Sequence, residues 1–150
     1  MSIEIYALSD RQLGSIVEWQ AAIDADLFDV KLDSSRPFAD LSGFLPVQVD
    51  GRQSGFECDH FDAAETIEDL IGQGFEFNRP WKYLLAFRFG GDQYECTSAS
   101  LAAASYVRAT NGVLFDGEEG EFYDPQGVLE YARKAADPAG WAELARILAR

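Results

Sequence analysis

Residues 44–58 read FLPVQVDGRQSGFEC, two runs of β-forming residues on either side of an Asp-Gly pair. A two-residue type I′ turn needs a positive φ at both central positions, and Asp50-Gly51 tolerates that conformation. The pattern therefore predicts a β-hairpin in which Phe44–Val49 pairs with Gln53–Cys58. Because hairpin strands are antiparallel, this segment indicates at least one antiparallel pair in the sheet.

The rest of the chain alternates between strand-like and helix-like patterns, with no linker or low-complexity segment between them. Further strands are predicted over 3–8, 26–32, 81–89, 113–115 and 122–123, the second of them ambiguous. Helices are predicted over 11–25, 62–72, 97–109, 125–135 and 138–149, with caps at Ser9 or Asp10, Asp62, Ser98 or Ser100, Asp124 and Asp137. We therefore expect one α+β domain over residues 1–150, with helices packed on a mixed or mostly antiparallel sheet.

The chain is strongly acidic, with 26 Asp and Glu against 12 Lys and Arg and a formal net charge of -14. Its eleven Phe and three Trp are far more than an acidic disordered tail contains, so we expect the acids to lie on a folded surface. Nucleic acid and anionic membranes are poor partners for this chain because both bind clusters of Lys and Arg. The charge instead favours a partner with a basic surface.

The acids are concentrated in stretches without Lys or Arg, chiefly Gln53 to Asn78 with seven acids and Ala109 to Tyr131 with six. The inward stripe of the helix predicted over 62–72 consists of Ile67, Leu70 and Ile71, which leaves the acids of that helix facing outward. The predicted partner-binding residues are Asp59, Asp62, Glu65, Glu68 and Asp69 in the first stretch and Asp116, Glu118, Glu119 and Glu121 in the second. Faces that only meet water are the alternative interpretation.

Motifs that would indicate catalysis or metal binding are weak. Cys58 and His60 would share one face of a strand, but catalytic pairs are usually assembled from distant segments. We expect instead a cysteine at a strand end beside a surface histidine. Two Cys and one His supply at most three zinc ligands, and the loop over 116–121 fails the EF-hand pattern. No catalytic residue, metal site or cofactor is therefore predicted.

The sequence also indicates the compartment. Two cysteines, Cys58 and Cys96, are too few for a disulfide framework. Residues 1–8 lack the regions of a signal peptide, and no apolar run approaches the ~18 residues of a membrane span. We expect a cytoplasmic protein. Its oligomeric state is open, since Trp19 and Trp141 fit either exposed contacts or the core.

Two segments resemble a known group of proteins. The first is SGFE at 54–57, and the second is AASYVRATNGVLFD at 103–116, followed by EFYDP at 121–125. The longer segment combines an alanine-rich helix, a glycine stop, a short apolar strand ending in Asp, an acidic turn and a capped helix. This pattern resembles small acidic immunity proteins encoded beside bacterial polymorphic and contact-delivered toxins, of the type VI or contact-dependent kind.

The resemblance implies a non-enzymatic protein that binds a cognate toxin and occludes its active site. Many intracellular toxins attack nucleic acids or nucleotides through basic clefts, which an acidic surface would complement. Two other functions stay open. One is a small hydrolase that uses carboxylates, with or without a metal, and the other is an acidic adaptor or DNA mimic.

Overall fold

A computed structural model describes residues 2–137 and residue 146 of the chain. Its strands are β1 (Ile3–Ser9), β2 (Val30–Leu32), β3 (Phe44–Val49), β4 (Arg52–Phe61), β5 (Tyr83–Phe89), β6 (Val113–Asp116) and β7 (Glu121–Tyr123). Its helices are α1 (Ile16–Ala25), α2 (Ala63–Gly72), α3 (Gln93–Thr110) and α4 (Gly127–Ala136). A 3-10 turn, Phe38–Asp40, lies in the predicted loop between β2 and β3.

The strands form one sheet in the order β2-β3-β4-β5-β1-β6-β7, and every pairing is antiparallel. The α+β class with a mostly antiparallel sheet is thereby confirmed. The hairpin is confirmed as well, since Val49 pairs with Arg52 and the turn residues Asp50 and Gly51 have φ values of 51° and 76°. The predicted pairing of residues 122–123 with β6 is also present.

One face of the sheet, called the covered face here, is buried beneath α1 and α3, with α4 packed beside α3. Alternate strand residues such as Ile5, Phe56 and Phe87 point into this core. Trp19 of α1 is fully buried, and its indole N–H donates to the Ala102 carbonyl of α3 at 3.0 Å. Small side chains along α3 allow the close approach of helix and sheet that its alanines predict.

Of the helices within residues 2–137, α2 is the one that lies on the opposite face, which is called the half-covered face. Ile67 and Leu70 of α2 pack on a smaller apolar cluster from β1, β5 and β6. Over β3 and β4, no helix within residues 2–137 lies on this face. Phe44 is exposed there, and Arg88 forms an ion pair with Glu57. The two faces of one sheet therefore differ in how completely they are shielded from water.

The predicted start of α1 is wrong. The helix begins at Ile16 rather than Arg11, because the Ser15 hydroxyl accepts a hydrogen bond from the Glu18 N–H at 3.1 Å. The Glu18 carboxylate accepts in turn from the Gly14 N–H at 2.9 Å. Ser15 and Glu18 have the spacing of a capping box, which is the sequence signal that marks this start.

The predicted start of α3 is also wrong, because the helix begins at Gln93 rather than Thr97. Asp92 caps it by accepting hydrogen bonds from the N–H groups of the second and third helical residues. Ser98 and Ser100, the predicted caps, are buried inside the helix. The predicted cap at Asp62, which accepts from Glu65 N–H at 2.8 Å, is confirmed.

Other predictions change because burial depends on packing. Ile71 is 51% exposed rather than inward, and Ala63 takes its place in the stripe of α2. Trp19, for which an exposed contact and the core were both open, lies in the core. The strand predicted over 26–32 is reduced to β2, and β4 continues past Cys58 to Phe61. Apart from residue 146, the helix predicted over 138–149 lies outside the described residues, as does Trp141.

Candidate protein-interaction surface

The outer side of α2 carries the first group of predicted partner-binding acids. Glu65, Glu68 and Asp69 are exposed because the apolar stripe of the helix faces the sheet. Asp62 is exposed too, with one carboxylate oxygen used as the N-cap. Glu68 and Asp69 lie near the negative end of the helix dipole, which is unfavourable for carboxylates. The last turn of α2 contains no base to offset them. Their placement thus contributes charge rather than helix stability.

The two flanks of α2 present different surfaces. Asp62, Glu65 and Asp69 line a small groove of about 340 Å³ together with Phe61. Glu68 lies three residues before Ile71, and helical spacing places it on the opposite flank. The acids predicted as one patch are therefore divided between two sides of the helix.

Asp59 is separate from the helix acids, because it lies in β4. One of its carboxylate oxygens accepts hydrogen bonds from Gly43 N–H at 2.9 Å and from the Ser42 hydroxyl at 3.1 Å. It is half-buried. Its observed role is to fasten the loop that enters β3.

Asp116 is 5% exposed at the end of β6 and is therefore removed from the surface on which it was predicted to meet a partner. One carboxylate oxygen accepts from the N–H groups of Glu118 and Glu119, at 2.8 and 3.3 Å. The other accepts from the Tyr131 hydroxyl of α4 at 2.8 Å. Asp116 thus shapes the following turn, which presents the exposed acids Glu118, Glu119 and Glu121.

The carboxyl group of Glu119 is electrostatically strained. Partial burial raises its pKa, and the neighbouring Asp116 carboxylate raises it further. The Tyr123 hydroxyl, which donates to Glu119 at 3.3 Å, has its own pKa raised to about 12 by burial and by the Glu119 charge. Burial, followed by the Asp116 charge, keeps the pKa of Tyr131 well above its ordinary value. The turn therefore concentrates negative charge at a cost to its own stability.

An open groove of about 680 Å³ lies between the end of α2 and β7 on the half-covered face. Its apolar lining consists of Ile71, Phe75, Phe77, Trp81, Val113 and Phe122, and its polar lining of Glu76, Asn78 and Arg79. This volume is in the range that accepts a ligand of drug size or a few side chains. We call it the aromatic groove.

Ring contacts hold the floor of the aromatic groove. Buried Phe115 of β6 contacts Phe75, Phe77 and Phe122, with centroid distances of 5.2, 5.0 and 4.8 Å. Phe77 also meets Phe122 edge-on at 5.2 Å. On one wall Phe122 is 38% exposed, and on the other wall Ile71 is 51% exposed. Two apolar walls therefore stay open to solvent above a buried aromatic floor.

The aromatic groove brings together the two acidic stretches, which are far apart in sequence. A Cβ atom added at Gly120 of the acidic turn would lie 3.4 Å from the Phe75 ring, so the turn backbone borders the groove. Glu76 lines the groove itself, and Glu68 lies on its α2 side. Segments of both acidic stretches therefore border one apolar opening, with Glu76 as the acid in its lining. Glu119 instead contacts Tyr123, whose ring packs on Tyr131 of α4 on the covered-face side.

The acids of α2 and of the acidic turn form no ion pair with the bases that the structure describes. Within residues 2–137 and 146, ion pairs form at Asp10, Glu18, Asp24, Asp26 and Glu57, which are all outside α2 and the acidic turn. Arg79, the base in the groove lining, is already engaged. Its guanidinium pairs with Asp10, which lowers the pKa of that carboxyl, and lies 3.8 Å from the Trp81 ring centroid.

Cys58 and His60, the residues considered for catalysis, are packed into the fold. Cys58 is fully buried in mid-strand rather than at a strand end, and burial raises the pKa of its thiol. The His60 ring is half-buried, with Nε2 2.8 Å from the Phe38 carbonyl oxygen. In the part of the chain that the structure describes, no three of His, Cys, Asp and Glu stand close enough to hold a metal ion.

Sequence reasoning missed the aromatic groove. The available signal was the alternation Phe75-Glu76-Phe77 followed by Trp81, in which aromatic residues lie within an acidic stretch at a predicted helix end. The contribution of Phe122 comes from β7, which only the sheet order brings alongside.

No protein-family model, curated protein or solved structure matches this chain. Across residues 2–137 and 146, no helix combines the length and the apolar character that a bilayer crossing requires.

Proposed function

We propose that this chain is a non-enzymatic immunity protein, which binds a cognate bacterial toxin and occludes its basic active-site cleft. The observation that carries the proposal is the composite surface on the half-covered face. There, an open apolar groove lined by Glu76 is bordered by the end of α2 and by the backbone of the acidic turn, and the exposed acids of α2 form no ion pair with a described base. The weak resemblance of residues 103–125 to immunity proteins supports the same function.

The physical argument rests on complementary roles of charge and apolar area. Stable protein interfaces have an apolar, aromatic-rich centre and a polar rim. Un-neutralised acids at the rim accelerate encounter with a basic partner and disfavour acidic or neutral ones. The mode of action in this proposal is steric, since a bound chain covers the toxin's cleft without chemistry of its own.

The function is tested by co-expressing the tagged protein with the product of the gene that neighbours its own. We expect the two to co-purify as a stable complex, and we expect growth to be arrested by the neighbour alone and restored by co-expression. A neighbour that is not toxic, or one that is toxic but neither bound nor neutralised, would remove the immunity function.

The contribution of charge is tested in the same complex by Glu65→Lys, Glu68→Lys and Asp69→Lys together. Because these carboxylates are exposed, we expect the fold to survive, association to slow by about tenfold at low salt, and its salt dependence to weaken. Stopped-flow association rates at 20 and 300 mM salt measure this, with circular dichroism as the check on folding. Unchanged rates would remove the α2 acids from the interface.

A further inference from the structure

We infer that the aromatic groove is the anchor site for one aromatic side chain of the partner, presented between basic residues of a single segment. This inference deepens the proposed function and names the chemistry of the partner. The acids would then govern how fast the complex forms, whereas the groove would govern how long it lasts.

The free wall of the groove indicates where the anchor lies. The Trp81 ring is already occupied by the Arg79 guanidinium, which Asp10 holds in place. The remaining apolar wall runs from Ile71 past Phe77 to Phe122, and its two ends are the exposed ones. An incoming ring between Ile71 and Phe122 would complete the aromatic cluster above Phe115, since aromatic pairs favour centroid separations of about 4.5–7 Å.

Charge complementarity selects the residues on either side of the anchor. Glu76 lines the groove, and Glu68 lies one turn before Ile71 on the same flank of α2. A segment with Lys or Arg flanking its aromatic residue would place those bases near the carboxylates. A second copy of this chain is the disfavoured occupant, because each copy carries a formal charge of -14.

The inference is tested with synthetic amidated peptides rather than with a toxin. The probe is Lys-Lys-Phe-Lys-Lys, and its controls are Lys-Lys-Ala-Lys-Lys and Glu-Glu-Phe-Glu-Glu, each titrated into ¹⁵N-labelled full-length protein. Removing a phenylalanine side chain from water strengthens binding by about tenfold or more. We expect at least that advantage for the probe over its alanine control, no binding of the acidic peptide, and shifts concentrated in residues 71–81 and 113–122.

Two variants guard against a general surface effect. Ile71→Ala removes one exposed wall at a helix end, and we expect it to abolish most of the advantage of the phenylalanine probe. Phe44→Ala removes a comparably exposed aromatic on the same sheet face outside the groove, and we expect no change. Equal affinity of the phenylalanine and alanine probes, shifts away from the groove, or sedimentation of the free protein as a dimer would each overturn the inference.

The two tests fail independently. A complex that restores growth while the peptides bind without aromatic preference would keep the immunity function and discard the anchor. Peptide binding as expected, with a neighbouring gene product that is neither toxic nor bound, would keep the anchor and discard the immunity function.

Discussion

The two faces of the sheet use aromatic residues in opposite ways. On the covered face, Trp19 is fully buried and meets Phe87 and Tyr106 edge-on, at centroid distances of 5.9 and 5.5 Å. On the half-covered face, Phe122 packs on one side against its neighbours and leaves its other side open. Aromatic area that is sealed from water stabilises the fold, whereas area left open is available to a partner.

The largest effect expected from this comparison is on the covered face. Trp19→Ala should lower the free energy of unfolding by about 3–5 kcal/mol, because it leaves a large cavity and removes the indole hydrogen bond to the Ala102 carbonyl. Phe122→Ala should lower it by only about 1 kcal/mol, since much of that ring already meets water. Urea unfolding of both variants measures the difference. Similar losses for the two would contradict the division into a sealed and an open face.

The open part of the half-covered face is still closely packed at one point. A Cβ atom at Gly55 would lie 2.6 Å from the Leu45 carbonyl oxygen and 2.3 Å from the Phe44 ring. Gly55→Ala should therefore lower the free energy of unfolding by about 1–3 kcal/mol, the usual cost of overpacking. Phe44→Ala in the same background separates the two contacts. It should recover only part of the loss, because the carbonyl belongs to the backbone and cannot rotate away.

The smallest expected effect concerns the charge stored in the acidic turn. Because the folded-state pKa of Glu119 lies above its ordinary value of 4.5, the folded chain holds that proton more tightly than the unfolded chain. Stability from this group is therefore present below pH 4.5 and is lost as the pH rises through the raised pKa. Glu119→Gln should remain proton-independent, so its advantage over the natural protein should grow from pH 4 to pH 7.

Melting temperatures of the two proteins across that pH range give the measurement. Glu118→Gln is the matched control, since Glu118 is an exposed neighbour in the same turn. A pH-independent difference between Glu119→Gln and the natural protein would mean that the Asp116–Glu119 pair does not resist ionisation.

Local interactions explain what could be predicted from the sequence alone. The Asp50-Gly51 turn and the cap at Asp62 depend on the backbone and on side chains a few residues away. The start predicted at Pro125 with a cap at Asp124 is wrong, because α4 begins at Gly127 with Gln126 at its N-cap position. The starts of α1 and α3 were missed although Ser15 and Asp92 carry the same kind of local signal. Both errors arose because another residue nearby could also cap the helix. They did not affect the predicted class of the fold.

Packing between distant segments decided the rest. From residue type alone, Ile71 would be expected in the core and Asp116 on the surface. The structure has Ile71 exposed and Asp116 buried, because of the neighbours that the sheet order places beside them. Asp116 is buried because Tyr131 reaches it from α4, and Ile71 is exposed because Ala63, Ile67 and Leu70 fill the contact with the sheet. The acidic character of the surface follows from composition, but the aromatic groove exists only because antiparallel pairing brings β7 beside β6 and across from the end of α2.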